Sequence, residues 1–228
     1  MLRAMIDLER DGEVFVLRMR DGENRFSPAF LAAWHAALDE VEKAPGPAAL
    51  VTTGEGKFYS NGLALDALAG KSVDEIAAYL REVHALFARV LAFPRATVAA
   101  LNGHAFAGGL MLALAHDTRL MRADRGFLCL PEVDLRLNLQ PGMTALIAAR
   151  LPKQTAHEAI VTGRRWGAGD ALARSIVDET AAEAELLPRA VAIARERAAK
   201  DPATVAALKR GLHAETLRLL ETAAGVAR

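Results

Sequence analysis

The sequence is poor in cysteine and has no excess of either charge. Its single cysteine, Cys129, cannot form an internal disulfide, so the chain is not a disulfide-stapled scaffold. The 28 basic side chains are balanced by 28 acidic ones. This balance argues against a nucleic-acid-binding protein that depends on bulk positive charge. Hydrophobic residues make up 52% of the 228 residues, which argues against a disordered chain and fits one folded domain.

Long apolar runs are also missing. The Ala- and Leu-rich stretch that begins at Gly108 is interrupted by His116 and Asp117 before it reaches the length of a membrane span. The first eleven residues lack the apolar core of a signal peptide. We therefore expect no membrane partner and a cytoplasmic location.

Two kinds of cofactor site have no support in the sequence. The six histidines show no pairing at metal-ligand spacing, and none accompanies a serine or cysteine in a nucleophile motif. A dinucleotide fold requires Gly-x-Gly-x-x-Gly after a strand and an acidic residue about twenty positions later, and this pattern is missing. We expect neither a bound metal nor a redox cofactor.

Strand and helix patterns alternate in the first part of the chain, and helix patterns dominate later. Short β-branched and apolar runs predict strands, whereas apolar residues at helical spacing predict helices. Ser72 and Glu75 have the spacing of a capping box. An α/β core followed by a helical C-terminal lobe is predicted. The predicted strands are residues 14–19, 48–53, 96–101, 118–121 and 127–130, and the predicted helices are residues 28–43, 72–91, 110–115, 143–150, 154–161, 181–200 and 202–223.

The most informative stretch runs from Leu101 to Met111, where a predicted strand meets small residues just before an apolar helix. Glycine allows a ligand to approach the backbone closely, and the start of a helix carries unpaired N–H groups with a partial positive charge. The N–H of Gly108 could therefore stabilise negative charge that develops on an oxygen atom. A second glycine turn precedes Leu63, whose N–H could be the other donor. Together the two turns predict an oxyanion hole.

These stretches resemble the crotonase superfamily of enoyl-CoA hydratases and isomerases. The matching residues are Lys-Phe-Tyr-Ser-Asn-Gly-Leu from Lys57, Asn-Gly-His-Ala-Phe-Ala-Gly-Gly from Asn102, Ala-His-Asp from Ala115 and Pro-Glu-Val-Asp-Leu from Pro131. Two further matches, Arg-Phe-Ser-Pro and Asp-Arg-Gly, make the chain most similar to the peroxisomal and plant-type Δ3,Δ2-enoyl-CoA isomerases. The resemblance covers about residues 10–200.

The resemblance implies a spiral of ββα units, an acyl-CoA substrate, and a homotrimer or a dimer of trimers. We divide the chain into a core of residues 1–180 and a C-terminal helical lobe of residues 181–228 that would form subunit contacts. The final helices carry apolar stripes that look too broad for packing on one side of a single domain, although covering the protein's own core is the alternative. The stripes contain Val191, Ile193, Val205, Leu208, Leu212, Leu217 and Leu220.

Glu132 is the predicted acid–base residue. It follows Pro131 at the predicted end of a strand among apolar residues, where loss of solvation raises the pKa of a carboxyl group. The resemblance implies that Glu132 takes a proton from C2 of an acyl thioester and returns one at C4, while the N–H groups of Leu63 and Gly108 hold the enolate. Asp134 is expected on the same side of an extended segment, where it would raise the basicity of Glu132 or, as we prefer, cap the following turn.

Further substrate-binding positions follow from the resemblance at Lys57, Asn61, Gly62, Ala64, Gly109, Met111 and Arg136. Lys57 would lie near the CoA phosphates, although a solvated loop lysine fits equally well. Ala64 replaces an aspartate that is usual in the family. Met111 stands where hydratases carry a second glutamate, which favours a one-base isomerase, and it also fits simple core packing. Arg136 replaces a glycine of the related isomerases and would narrow the acyl pocket or meet a polar substrate.

Two other functions remain open from the sequence. The same oxyanion hole would serve another crotonase-type reaction, such as hydration with water held by Glu132 or thioester hydrolysis. Ala64 and Arg136 also fit a catalytically weak acyl-CoA-binding paralogue.

Of the remaining candidate residues, His104 is a possible pocket residue beside the oxyanion turn, and Cys129 is predicted to be an inert buried thiol.

Overall fold

The computed structural model describes residues 4–222, which form a six-stranded sheet, a three-stranded sheet and surrounding helices. The strands are β1 (Ile6–Asp11), β2 (Val14–Met19), β3 (Ala49–Gly54), β4 (Phe58–Ser60), β5 (Ala96–Leu101), β6 (His104–Phe106), β7 (Thr118–Arg122), β8 (Leu128–Cys129) and β9 (Glu179–Ala181). The helices are α1 (Pro28–Lys43), α2 (Val73–Leu91), α3 (Gly108–Ala115), α4 (Glu132–Leu135), α5 (Pro141–Arg150), α6 (Lys153–Thr162), α7 (Ala168–Ala173), α8 (Glu183–Arg197), α9 (Pro202–Leu212) and α10 (Ala214–Thr222), with a 3₁₀ turn at Leu65–Leu68.

From β3 onward, consecutive strands alternate between the two sheets. The larger sheet has the order β1-β2-β3-β5-β7-β9, and the smaller one has the order β4-β6-β8. Strands β1 and β2 form an antiparallel hairpin, and the other pairs are parallel. Each of the strand pairs β3/β4, β5/β6 and β7/β8 is followed by a helix. This arrangement confirms the expected spiral of ββα units.

The larger sheet is buried on both faces. Val16, Val51 and Val98 lie side by side in register and pack against α8. The alternating residues of the same strands, such as Leu17 and Leu101, join the core under α1, α2 and α3. Because successive side chains of a strand point to opposite faces, these central strands are mostly apolar on both faces, which is why the sequence predicts them well.

Local signals place the early helices correctly. Ser27 accepts a hydrogen bond from the Phe30 N–H at 3.2 Å and caps α1, which has Pro28 as its first residue. At α2 the Ser72 hydroxyl accepts from the Glu75 N–H at 3.3 Å, and the Glu75 carboxylate accepts from the Ser72 N–H at 2.8 Å. The predicted capping box is therefore confirmed.

Several predictions for the less apolar segments are wrong. Strand β1, strand β9 and helix α7 were not expected, and the helix predicted from residue 181 begins at Glu183. Strands β1 and β9 are edge strands with partly exposed residues, so their pairing with neighbours forms them rather than an apolar pattern. The helix predicted for residues 202–223 ends at Leu212 and restarts at Ala214. Ala223, its predicted end, lies outside the described residues.

The final helices divide between the core and the surface. Helix α10 packs on α5 so closely that a Cβ atom at Gly142 would lie 2.8 Å from the Leu220 Cα. Helix α9 instead leaves Leu208 68% exposed and Leu212 77% exposed. Separation of residues 181–228 as an oligomerising lobe stays a prediction. None of the helices in residues 4–222 is long and apolar enough to cross a membrane.

Candidate active site

The two glycine turns touch each other through their backbones. Gly62 has a φ of +74°, and a Cβ atom at this position would lie 2.7 Å from the Gly108 nitrogen. A Cβ atom at Gly109 would clash with the backbone carbonyl oxygen of Ser60. Because these contacts leave no room for a side chain, glycine is required at both positions. The structure thus brings Leu63 and Gly108 together, although they are far apart in the sequence.

Hydrogen bonds fix the first turn and leave the N–H of Leu63 unused. The Phe26 N–H donates to the Gly62 carbonyl at 2.8 Å, and the Gly62 N–H donates to the Ser60 hydroxyl at 3.1 Å. That hydroxyl donates in turn to the Asn24 carbonyl at 2.7 Å. No carbonyl of residues 4–222 accepts a hydrogen bond from the Leu63 N–H. This donor is available to a ligand.

The second turn offers the N–H of Gly108. Helix α3 begins at Gly108, so this N–H has no partner within the helix. The preceding residue, Ala107, is held at both ends: its N–H donates to the Cys129 carbonyl at 2.9 Å, and its carbonyl accepts from the Leu110 and Met111 N–H groups. Two donors on adjacent, well-fixed turns are the arrangement that stabilises an oxyanion.

Both turns face a cavity of about 630 Å³. The 3₁₀ turn and α2 form an apolar wall through Leu65, Leu68, Ile76 and Leu80. Helix α4 and the loop that follows it form another wall, which contains Glu132. An apolar cavity with a few polar groups beside an oxyanion hole suits a substrate with an apolar chain and one reactive carbonyl.

Glu132 is the only acidic residue among the described residues that line this cavity. It is 8% exposed, and its buried Oε2 atom accepts no hydrogen bond from residues 4–222. Loss of solvation raises the pKa of Glu132 above its ordinary value of 4.5. The carboxylate is therefore a stronger base than an exposed glutamate, and one of its oxygens is buried without a hydrogen-bond partner among the described residues.

The backbone around Glu132 differs from the prediction. Glu132 is the first residue of α4 and does not lie at the end of a strand, because β8 already ends at Cys129 and Pro131, with dihedral angles of −83° and 10°, begins the turn into the helix. Asp134 consequently does not share a face with Glu132. Its exposed side chain lies beside Gly163, where a Cβ atom would be 2.6 Å from the Asp134 Oδ2 atom. No hydrogen bond from the described residues reaches this carboxylate, so it is not a cap either.

The other predicted substrate-binding residues fall into two groups. Asn61, Met111 and Arg136 line the cavity, together with Leu63. Gly62 and Gly109 shape it through their backbones. Outside the lining, the Ala64 N–H donates to the Tyr79 hydroxyl at 3.2 Å, and the Lys57 ammonium lies 5.5 Å from the Phe58 ring centre. The role of Lys57 near CoA phosphates stays a prediction.

His104 and Cys129 have packing roles. The His104 ring lies among the rings of Phe58, Phe106 and Phe127, at centroid distances of 5.0–5.8 Å, and it is not part of the cavity lining. Burial lowers the pKa of His104, and its Nδ1 atom accepts a hydrogen bond from the Phe127 N–H at 3.1 Å. Burial raises the pKa of the Cys129 thiol to about 11. The expected burial of Cys129 is confirmed, and its lack of reactivity stays a prediction.

Sequence reasoning missed polar residues of the cavity. Arg25, Arg165, Asn138 and Gln140 all line it. Arg25 follows β2 and is paired with Glu23 at 2.7 Å, whereas Arg165 follows α6 and lies 5.7 Å from the Phe106 ring centre. Arg25 was noticed only as part of a family match, and the other three belong to no recognisable motif, so only the folded chain shows that all four meet at the cavity.

The two-sheet spiral with its paired oxyanion turns defines the crotonase fold. This chain belongs to the enoyl-CoA hydratase/isomerase family, whose model matches residues 9–226. It is 33% identical to enoyl-CoA delta isomerase 3 of Arabidopsis thaliana over 230 residues, which cover 96% of this chain and 97% of the relative. It is 36% identical to the peroxisomal enoyl-CoA delta isomerase 2 of the same plant over 189 residues, which cover 79% of each chain.

Solved structures show the same fold. A probable enoyl-CoA hydratase of Mycobacterium tuberculosis superposes with a TM-score of 0.90 at 28% identity, covering 97% of this chain and 93% of that one. A second structure of that same protein, in its apo form and called an enoyl-CoA isomerase, gives a TM-score of 0.86 at 28% identity, with coverage of 95% and 94%. The family predicted from the sequence is confirmed, and its members carry both hydratase and isomerase names.

Ala107 is a strained residue at this site. Its φ of 49° and ψ of −125° are unfavourable for any residue with a side chain. We expect Ala107→Gly to raise the free energy of unfolding by about 1 kcal/mol, because the strain of the left-handed backbone disappears. Chemical denaturation measures this. Ala36→Gly in the exposed middle of α1 is the control, and it should lower the free energy of unfolding. Equal destabilisation by both substitutions would contradict the strain.

Proposed function

We propose that this protein is a Δ3,Δ2-enoyl-CoA isomerase, which moves the double bond of a 3-enoyl-CoA thioester to C2. The observation that carries this proposal is the single buried carboxylate beside the two free N–H donors. Glu132 is the only acid among the described lining residues, and the cavity presents the thioether of Met111 where family hydratases carry a second glutamate. Hydration needs one group to activate water and another to manage the proton at C2, whereas isomerisation needs one base.

The proposed reaction uses Glu132 twice. The carboxylate removes a proton from C2, and the electrons of the broken C–H bond form a dienolate whose negative charge rests on the thioester oxygen. The N–H groups of Leu63 and Gly108 stabilise that oxygen. The protonated Glu132 then returns its proton to C4, which leaves the double bond between C2 and C3. Because each step only relocates a proton and an electron pair, the reaction needs no metal or redox cofactor.

The experiment that tests this proposal uses matched 3-enoyl-CoA and 2-enoyl-CoA substrates of one chain length. The expected result is conversion of the 3-enoyl thioester to the conjugated 2-enoyl thioester without formation of a hydroxyacyl product. Rapid loss of the 2-enoyl thioester to 3-hydroxyacyl-CoA would instead identify a hydratase, the function named for several relatives. Release of free CoA would identify a hydrolase, and binding without any turnover would identify the acyl-CoA-binding paralogue. Cytoplasmic location remains part of the proposal.

We also propose that the protein is a homotrimer or a dimer of trimers. Helix α9 supports this, because none of its residues is buried and Leu208 and Leu212 are exposed on one face. The double substitution Leu208→Asp and Leu212→Asp is expected to reduce the particle mass in light scattering to that of a monomer while circular dichroism stays unchanged. Val73→Asp, at a residue 63% exposed, is the control and should keep the assembly. A monodisperse monomer of the unmodified chain would contradict the assembly.

A further inference from the structure

Arg136 is an exposed cationic side chain that lines the cavity and has no partner among the described residues. It lines the same cavity as Glu132 and makes no ion pair or hydrogen bond through its side chain with residues 4–222. Arg25, at the same cavity, differs: its guanidinium is 2.7 Å from Glu23 and 3.1 Å from Asp66. The charge of Arg25 is therefore neutralised within the protein, whereas that of Arg136 is available to a ligand.

The backbone at Arg136 gives no reason for a long side chain. Arg136 ends α4 in the left-handed conformation, with φ 57° and ψ 36°, and its N–H donates to the Val133 carbonyl at 3.3 Å. Glycine adopts this conformation without strain, whereas any other residue is disfavoured. The chain thus carries an arginine where the local structure favours the absence of a side chain. Strain of this kind points to a function for the side chain.

Two more polar side chains lie in the same loop. Asn138 and Gln140 line the cavity along with Arg136, and they alternate with Leu137 and Leu139. The side chains of Arg136 and Asn138 are exposed, and that of Gln140 is half-buried. A carboxylate would accept hydrogen bonds from the guanidinium and from the amide N–H groups of this loop, whereas an unsubstituted hydrocarbon chain offers them no acceptor.

We propose that Arg136 binds an anionic group, a carboxylate, at the end of the substrate's acyl chain that is remote from the thioester. A guanidinium binds a carboxylate through two parallel N–H···O bonds, so one arginine suffices for recognition. Asn138 and Gln140 donate further hydrogen bonds to the same end of the acyl group. The substrate class is then a CoA thioester of an unsaturated dicarboxylic acid. This inference rests on the proposed function and specifies its substrate.

Phosphate groups of CoA are the other anions that Arg136 could bind, and a matched substrate pair separates the two sources. The substrates are 3-hexenedioyl-CoA, which ends in a carboxylate, and 3-hexenoyl-CoA, which ends in a methyl group. The variants are Arg136→Gly, which suits the left-handed backbone, and Arg136→Gln. Arg81→Gln, at an exposed arginine of α2 outside the cavity lining, is the control.

We expect both Arg136 variants to lower kcat/KM for 3-hexenedioyl-CoA by about 10–100-fold, the usual effect of losing a hydrogen bond to a charged group. The value for 3-hexenoyl-CoA should stay the same or rise. Arg81→Gln should change neither. Equal loss for both substrates would assign Arg136 to a CoA phosphate and overturn the inference. Improvement with 3-hexenoyl-CoA and no change with 3-hexenedioyl-CoA would show that Arg136 only narrows the pocket, which also overturns it.

Binding of saturated analogues tests the inference without turnover. Calorimetry with hexanedioyl-CoA and hexanoyl-CoA should show tighter binding of the former, and Arg136→Gly should remove the difference. This result stands even if the protein isomerises neither unsaturated substrate, in which case only the proposed reaction fails. Equal affinities of the unmodified protein for the two analogues would overturn the carboxylate site while leaving the isomerase proposal intact.

Discussion

Replacement of Glu132 by glutamine is expected to lower the isomerisation rate by about 10²–10⁴-fold, the usual contribution of general acid–base catalysis. Glutamine keeps the volume and polarity of the side chain but cannot accept a proton. Binding of a saturated acyl-CoA should persist, because the N–H donors of Leu63 and Gly108 are untouched. Steady-state kinetics measure the isomerisation rate, and calorimetry on the same preparation measures the binding of the saturated acyl-CoA. Near-native turnover of the variant would mean that the base is another group, with Asp66 and Asp134 the next acids to test.

The same substitution has a predicted effect on stability. Burial raises the pKa of Glu132 above 4.5, so between the unfolded and folded pKa values the folded state binds more protons than the unfolded state. The free energy of unfolding therefore falls as the pH rises through this window. Glu132→Gln removes that decline, and the variant should be more stable than the unmodified protein at neutral pH. Catalysis by the unmodified protein should rise with pH through the same raised pKa.

Gly62→Ala is the second substitution for which we expect a large loss. The new methyl group would lie 2.7 Å from the Gly108 nitrogen and 3.0 Å from the Phe106 oxygen, both of which are backbone atoms. It must push the two oxyanion turns apart, and loss of one donor typically costs about 10²–10³-fold in kcat. Unfolding measurements should show a loss of stability as well, because alanine is strained at a φ of +74°.

Gly12→Ala is the matched control for the backbone strain. Gly12 has a φ of +61° in the turn between β1 and β2, and a Cβ atom there would meet nothing within 4 Å. This variant should lose a similar amount of stability through the left-handed backbone and keep its kcat. If both glycine variants retain full activity, the close contact between the turns does not shape the oxyanion hole.

The sequence predicts those parts of the site that depend on local chemistry. The glycine turns are recognisable because close backbone approach allows no other residue, and the structure brings the turns of Leu63 and Gly108 together as expected. Their role as donors stays a prediction. Glu132 lines the cavity as expected, but its place in a helix was not predicted, since a four-residue helix after a proline gives no periodic signal. The interruption between α9 and α10 at His213 was not predicted either. The apolar pattern continues through His213, and the packing of α10 on α5 determines where the helix is interrupted.

Residues that the fold alone assembles could not be predicted. Gln140 and Arg165 come from separate segments and look like ordinary surface residues in their own stretches of sequence, and the family match at Arg25 gave no sign that its side chain lines the cavity. The edge strand β9 forms only because β7 offers unpaired backbone groups beside it. Non-local pairing and cavity lining depend on the whole fold, whereas caps and glycine turns depend on a few adjacent residues.

Transfer of a labelled hydrogen tests the central claim, that one buried carboxylate carries the proton from C2 to C4. A 3-enoyl-CoA with deuterium at C2 is converted in ordinary water under single-turnover conditions, and mass spectrometry and NMR locate the label in the product. Because the buried Oε2 atom of Glu132 is shielded from solvent, we expect a substantial share of the removed deuterium to appear at C4. A hydrogen at C4 derived wholly from water would contradict the single-base mechanism.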